Sequence, residues 1–453
     1  MTAPFRYKPE PLVVALCEAS ARGDVAHIAM LITSGANVDG RDEKGKTPIA
    51  RAIENQQYDA VKRLLNHGAS KGVTDTAKRS PPLFWATAAG DLQMVKLLLD
   101  HGCSPVDKDL YGSPYFCETV TQGNVEIVQL LLDYGANVNA RDAWGREVLL
   151  HAYQKGNLEM MQLLQSRGAS VNVKDKTGSP IIVLALQEGK MDIFHFLLAR
   201  GADVNSRSIT GTPLTVEALQ KKRHDVFKLL LQRGADPNAS NITGTPLLMM
   251  IVKDDTGYSL TQKYDLVHSL LSRGANPNIC DSWGRTLMSH VVEKGCVELI
   301  QPLLEKGADP NQKTTAAGDT LLLYAIDQRR SDLIPVLLGH SANPNAADAK
   351  GRTPLVQALR KRDFATARLL LERGADANKD GAISPLAFAS ALGDGDTVRL
   401  LRNYGARGDD VDVLVAPKTS QAAPPIPQAS APLEDTDVVD EPPPGYDGVS
   451  KRT

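Results

Sequence analysis

Val125-Glu126-Ile127-Val128-Gln129-Leu130-Leu131-Leu132-Asp133-Tyr134-Gly135-Ala136-Asn137-Val138-Asn139 is an apolar run that stops abruptly at a glycine. Val125, Val128, Leu131 and Leu132 stand 10, 7, 4 and 3 residues before Gly135, a spacing that puts all four on one helical face. The glycine enters the left-handed region that ends a helix, Ala136 is small enough to tuck under the turn, and the asparagines favour turns by bonding their own backbone. The same slots hold Val25, Ile28, Leu31 and Ile32 before Gly35, and Val297, Ile300, Leu303 and Leu304 before Gly307. One amphipathic helix is being repeated.

The Gly-Ala pair beats like a clock. It stands at Gly35, Gly68, Gly135, Gly168, Gly201, Gly234, Gly274, Gly307, Gly374 and Gly405, with the variants Gly102-Cys103 and Ser341-Ala342. The gaps between successive pairs are 33, 34, 33, 33, 33, 33, 40, 33, 34, 33 and 31 residues, a regularity typical of stacked supersecondary units. Ten residues past the pair a second glycine recurs (Gly45, Gly145 and Gly211 among others), followed by Thr-Pro or Ser-Pro as at Thr47-Pro48, Thr212-Pro213 and Thr353-Pro354. Thr as N-cap and Pro at the first helical position predict a second, shorter helix, closed by a third glycine such as Gly90 or Gly123.

Gly-Thr-Pro-Leu at the first helix and Leu-Leu-x-x-Gly-Ala-Asp-x-Asn after the second strongly resemble ankyrin repeats. The resemblance covers residues 12–408 in about twelve units and implies an all-α solenoid of helix-turn-helix units with protruding β-turn or hairpin loops. Residues 1–11 are read as an N-terminal lead and 409–453 as a separate tail. One departure stands out: Ala50, Phe84, Phe116, Thr215, Leu248, Ser289, Val356 and Ala387 occupy the place of the family's Thr-Pro-Leu-His histidine. The hydrogen bonds that His makes between neighbouring loops in the family should be missing, so stacking should rest more on apolar helix contacts.

Composition narrows the function. With 51 basic against 53 acidic residues the chain has no basic excess for nucleic acid, and no stretch approaches 18 uninterrupted apolar residues for membrane insertion. The five cysteines are widely spaced without a C-x-x-C pair, so reduced, buried thiols in a cytosolic or nuclear protein are expected, with no metal or cofactor. There is no P-loop, no G-x-S-x-G and no H-E-x-x-H, and the chain is read as a non-catalytic monomer.

Three irregularities interrupt the pattern. The unit before Gly274 carries seven extra residues around Asp254–Gln262, in the turn joining its helices. Pro302 and Pro335 fall inside the apolar pattern of units nine and ten, and Ser341 replaces a glycine. An interior helical Pro costs about 3 kcal/mol, so the weakest joint is expected between residues 295 and 345. Basic clusters Lys221-Lys222-Arg223, Arg329-Arg330 and Arg360-Lys361-Arg362 replace the inter-helix glycine in units seven, ten and eleven, where cations favour a helix C-terminus.

Nine residues past the pair's glycine lies the loop tip. It holds Tyr111, Trp144 and Trp283 in three units, but Lys44, Thr177, Thr210, Thr243 or Lys350 elsewhere. Trp and Tyr dominate binding hot spots, which makes these three the candidate anchors for an unidentified protein partner; the competing reading is that each ring folds over the neighbouring loop as local packing.

The tail differs in kind. Residues 409–453 hold nine acidic and three basic side chains, net -6, against net +4 for the preceding body (48 basic, 44 acidic), a composition expected to be disordered. Near its end Pro443, Pro444, Gly445 and Tyr446 look like the P-P-x-Y ligand of WW domains, in which prolines pre-set a polyproline II helix and the Tyr fills a pocket. A scaffold or adaptor is the expected function. The alternative is a substrate-recruiting regulatory subunit of a ubiquitin ligase, docked through this tail.

Overall fold

Each apolar run becomes a short helix, and the helices alternate in two layers. The computed structural model describes residues 10–72, 80–109, 111–253, 257–313, 319–379 and 384–408. Among them lie twenty-four α-helices and no sheet, with seven isolated antiparallel bridges at the bases of the loops, as between Arg141 and Glu147. The first helices pack on one another: α1 (Pro11–Arg22) on α3 (Pro48–Glu54), α3 on α5 (Pro82–Ala89), α5 on α7 (Tyr115–Gln122) and α7 on α9 (Val148–Lys155). The second helices form the other layer, α2 (Val25–Thr33), α4 (Tyr58–Asn66), α6 (Leu92–Asp100), α8 (Val125–Asp133) and α10 (Leu158–Ser166) in succession. No helix this short is stable alone, so the apolar faces must be buried against the neighbouring unit. One continuous core runs from Leu16 to Leu401.

Unit four shows why the pattern folds this way. Gly123, at φ 88°, ends α7 and turns the chain back, and the Asn124 side chain accepts the Ile127 N–H to start α8. Ile127, Val128 and Leu131 are buried beneath α8, and the Ala136 N–H closes the helix on the Leu131 carbonyl while its methyl is buried.

The Thr-Pro signal occurs in two registers, only one of which was anticipated. Thr47 and Thr353 cap their helices through the side chain, with Pro48 and Pro354 as first helical residues. In Ser113-Pro114, Ser179-Pro180 and Thr212-Pro213 the dipeptide stands one residue closer to the loop glycine; the proline itself is the N-cap and the helix begins at Tyr115, Ile181 or Leu214. The family's His position therefore falls on Cys117, Val216 and Met249 rather than on Phe116, Thr215 and Leu248. No histidine occupies it in either register.

The loops are nevertheless tied together, by asparagine. Four residues past the pair's glycine, Asn139 Oδ1 accepts the N–H of Ser170 in the next loop, and Asn172, Asn205, Asn238, Asn278, Asn311, Asn345 and Asn378 do the same onward to Arg407, at 2.6–3.3 Å. Several also donate Nδ2–H forward to a carbonyl, as Asn278 does to Gly307 at 2.8 Å. Asp39 makes the equivalent bond to Ser70. The ladder breaks where Gly72 and Val106 stand in the asparagine's place, since neither side chain can accept a hydrogen bond. Stacking thus rests on helix contacts plus a polar ladder, a correction to the expectation from the missing His.

The irregular units also resolve differently from the sequence expectation. Val297–Leu299 is a 3-10 turn, and the α-helix Ile300–Glu305 starts after it, so Pro302 lies in a first turn where its missing N–H has no helical partner to forfeit. In unit ten the helix starts late, at Leu333, which does the same for Pro335. Ser341 keeps its cost, with a Cβ at φ 66°. Lys222, Arg329 and Arg362 from the basic clusters likewise sit at positive φ, together with Gln56. Of the insert, Leu260–Gln262 form the first turn of a lengthened helix, Leu260–Leu271, closed by a capping box between Ser259 and Gln262. Tyr258 donates its hydroxyl to the Leu219 carbonyl of the preceding unit. Asp254–Thr256 lie outside the described residues.

Candidate partner-binding site

Seven residues past the pair's glycine an Asp shapes the tips that carry the three aromatics. Asp142 Oδ1 accepts the backbone N–H of Trp144 and of Arg146, at 2.9 and 2.8 Å; Asp109 does so for Tyr111 and Ser113, and Asp281 for Trp283 and Arg285. Such turns hold the intervening residue with its backbone clamped and its side chain outward. Tyr111, Trp144 and Trp283 are accordingly 78%, 73% and 75% exposed, which leaves little of each ring to local packing.

Tyr111 and Trp144 share one groove. Ser113 Oγ accepts the Ala143 N–H at 2.7 Å and joins their two loops. Both rings line a cavity of about 490 Å³, with Phe84, Tyr115, Glu118, Thr121, Asp142, Arg146 and His151 also around it. Phe84 and Tyr115 are themselves in ring contact at 4.8 Å. Volume and aromatic lining are those of a ligand-sized cleft.

Beneath Trp144 lies a polar module that sequence reasoning missed. Arg146 Nε donates to Asp142 Oδ2 at 2.7 Å while its guanidinium lies 5.0 Å from the Trp144 ring, and buried His151 places Nε2 3.1 Å from the same carboxylate. Burial alone would raise the Asp142 carboxyl, but the N–H of Arg146 and its guanidinium outweigh it and hold the acid below its ordinary range. Burial, reinforced by Arg146, holds the His151 imidazole below its ordinary value and hence neutral. The module recurs four units on: Asp281, Trp283, Arg285 and His290 have the spacing of Asp142, Trp144, Arg146 and His151. His290 Nε2 lies 2.9 Å and Arg285 Nε 3.2 Å from Asp281 Oδ2, and Asp281 is likewise held well below the carboxylate range, its hydrogen bonds outweighing burial. The shared spacing Asp-x-Trp-Gly-Arg-x4-His was the signal that could have found it.

The structure keeps Trp283 far along the array from the other two tips, in unit nine's loop, with Lys253 and Arg285 near its ring at 5.5 and 5.6 Å. Pro443, Pro444, Gly445 and Tyr446 lie outside the described residues. Burial pushes the thiols of Cys17, Cys103 and Cys117 up to about 12, about 11 and about 12, so they are inert; Cys280 is exposed, contrary to the expectation of uniformly buried thiols. Among the described residues no helix is long and apolar enough to cross a membrane.

The family model for ankyrin repeats, described as three copies, matches residues 16–109, 67–142, 83–175, 116–208, 149–241, 257–348 and 331–412. The chain belongs to the ankyrin-repeat family, whose repeats are protein-interaction modules. Three relatives illustrate the range. A putative ankyrin repeat protein of Acanthamoeba polyphaga mimivirus is 29% identical over 107 residues, 24% of this chain and 14% of the relative. Ankyrin repeat domain-containing protein 63 of Mus musculus is 33% identical over 89 residues, 20% of this chain and 23% of the relative. A putative E3 ubiquitin-protein ligase of Arabidopsis thaliana is 33% identical over 96 residues, 21% of this chain and 26% of the relative. The chain thus matches about a quarter or less of each.

Proposed function

We propose that this chain is a non-catalytic scaffold or adaptor that holds a partner protein against its loop tips and first helices. The observation that carries it is the trio Tyr111, Trp144 and Trp283, large aromatics about three-quarters exposed on tips whose backbones are clamped by Asp109, Asp142 and Asp281. Rigid, amphipathic rings presented without a conformational cost are what binding hot spots are made of. The proposed setting is the cytosol or the nucleus, with the chain acting as a monomer.

A second reading makes the chain a substrate-recruiting subunit of a ubiquitin ligase, with Pro443, Pro444 and Tyr446 docking a WW domain. Its supports are the P-P-x-Y sequence and the likeness to a putative E3 ubiquitin-protein ligase. Affinity capture should compare the full chain, a chain ending at Gly408, and the double variant Tyr111→Ser/Trp144→Ser. A scaffold should lose its principal partner only in the double variant, and an adaptor should lose WW-domain proteins only on truncation. Identical partners for all three would contradict both.

A further inference from the structure

The two tryptophan modules differ at one telling position. Lys253, at the end of the helix Leu247–Lys253, lays its ammonium 5.5 Å from the Trp283 ring and 3.5 Å from Asp281 Oδ2. The chain thus fills the space beside Trp283 with a cation of its own. Nineteen residues past the pair's glycine in unit four, the same register position holds Thr121. Its short side chain turns back on its own helix, donating to the Cys117 carbonyl at 2.9 Å and meeting His151 Nδ1 at 3.3 Å, and the space beside Trp144 is part of the 490 Å³ cavity.

The charge of that cavity is also different. Glu118 is exposed on its wall, at the register position occupied in unit eight by Met250. Among the described residues that line it the one Lys or Arg is Arg146, already paired with Asp142, and Asp109 adds a second acid at the rim. An aromatic wall beside a surplus of carboxylate is complementary to a cation.

We infer that the groove between Tyr111 and Trp144 takes an arginine or lysine side chain from an extended segment of the partner protein, standing where Lys253 stands at Trp283, with Glu118 as its counter-ion. This rests on the scaffold function proposed above and names the chemistry of its ligand. The partner's cation would lie against an aromatic face on one side and a carboxylate on the other, as the chain's own lysine does four units away.

The test is a displayed library of random ten-residue peptides selected on the full chain, the recovered peptides being measured by calorimetry on three proteins. Wild-type protein should return peptides that share an Arg or Lys. Thr121→Lys, which fills the groove from within, should weaken them at least about tenfold, and Glu118→Gln should weaken them less, both with unchanged melting. Thr121→Lys also separates the groove from the acidic tail, which would capture basic peptides regardless of position 121. Acidic or wholly apolar binders, no binders, or basic binders indifferent to Thr121→Lys would overturn the inference. The scaffold function fails separately, if the chain ending at Gly408 and the Tyr111→Ser/Trp144→Ser variant retain the same partners as wild type.

Discussion

At the scale of single residues the loops are governed by short polar side chains rather than by the bulky ones. Asn205 accepts the Asp236 N–H at 2.8 Å from the next unit, so Asn205→Ala should lower stability by about 1 kcal/mol, measured by urea unfolding. Asn205→Asp should preserve most of it, because Asp39 makes the same bond natively to Ser70. Ser341 is the reverse case: at φ 66° its Cβ is strained, and Ser341→Gly should stabilise by about 1 kcal/mol. The buried Asp-His modules set an acid response. His151 binds its proton less readily folded than unfolded, so its contribution is intact above the ordinary imidazole value, about pH 6.5, and is lost as pH falls below it. Asp142 and Asp281 are depressed, so their contribution holds above about pH 4 and disappears below. The unfolding midpoint should therefore fall in two stages on acidification, and His151→Gln should remove part of the upper one.

At the scale of elements, the two-helix unit was legible because its determinants are local. Helix face, closing glycine and capping residue all fall within one 33-residue period: Val125 to Asn139 give the second helix and its stop, and Thr47-Pro48 the start of the first. What escaped was anything whose partner sits in the next unit. Asn139 reads as a turn residue in its own loop, yet its bond to Ser170 is 31 residues away. The Asp-His pairs escaped for a different reason: His151 and His290 stand nine residues past Asp142 and Asp281, across a helix start, and only folding sets each imidazole against its carboxylate. The Thr-Pro register slipped for a related reason, since Pro180 as N-cap and Pro48 as first helical residue differ by one position that only the helix start reveals. Pro302 and Pro335 looked disruptive because a straight helix was assumed; a 3-10 turn or a late start moves each into a first turn instead. The tip aromatics were legible from position alone, their shared groove and its charge were not.

At the scale of the whole molecule, a solenoid's stability is a sum of unit and joint terms, so the joints without an asparagine should be the loosest. Hydrogen exchange should show the amides around Gly72 and Val106 opening at lower free energy than the stretch from Asn139 to Asn378, where the ladder is continuous. The function proposed for the tail is separable from the stack. A peptide spanning Asp440–Val449 should bind a WW domain with micromolar affinity, Tyr446→Ala should abolish this, and the same change in the full chain should leave its melting unaltered. The most direct measurement concerns the loop tips: calorimetric affinity of the captured partner for wild type and for Tyr111→Ser/Trp144→Ser, with the melting temperature of both. Exposed anchors should cost at least about 2 kcal/mol in binding with melting unchanged. Affinity unaltered, or lost in step with melting temperature, would contradict the assignment of these rings to a partner.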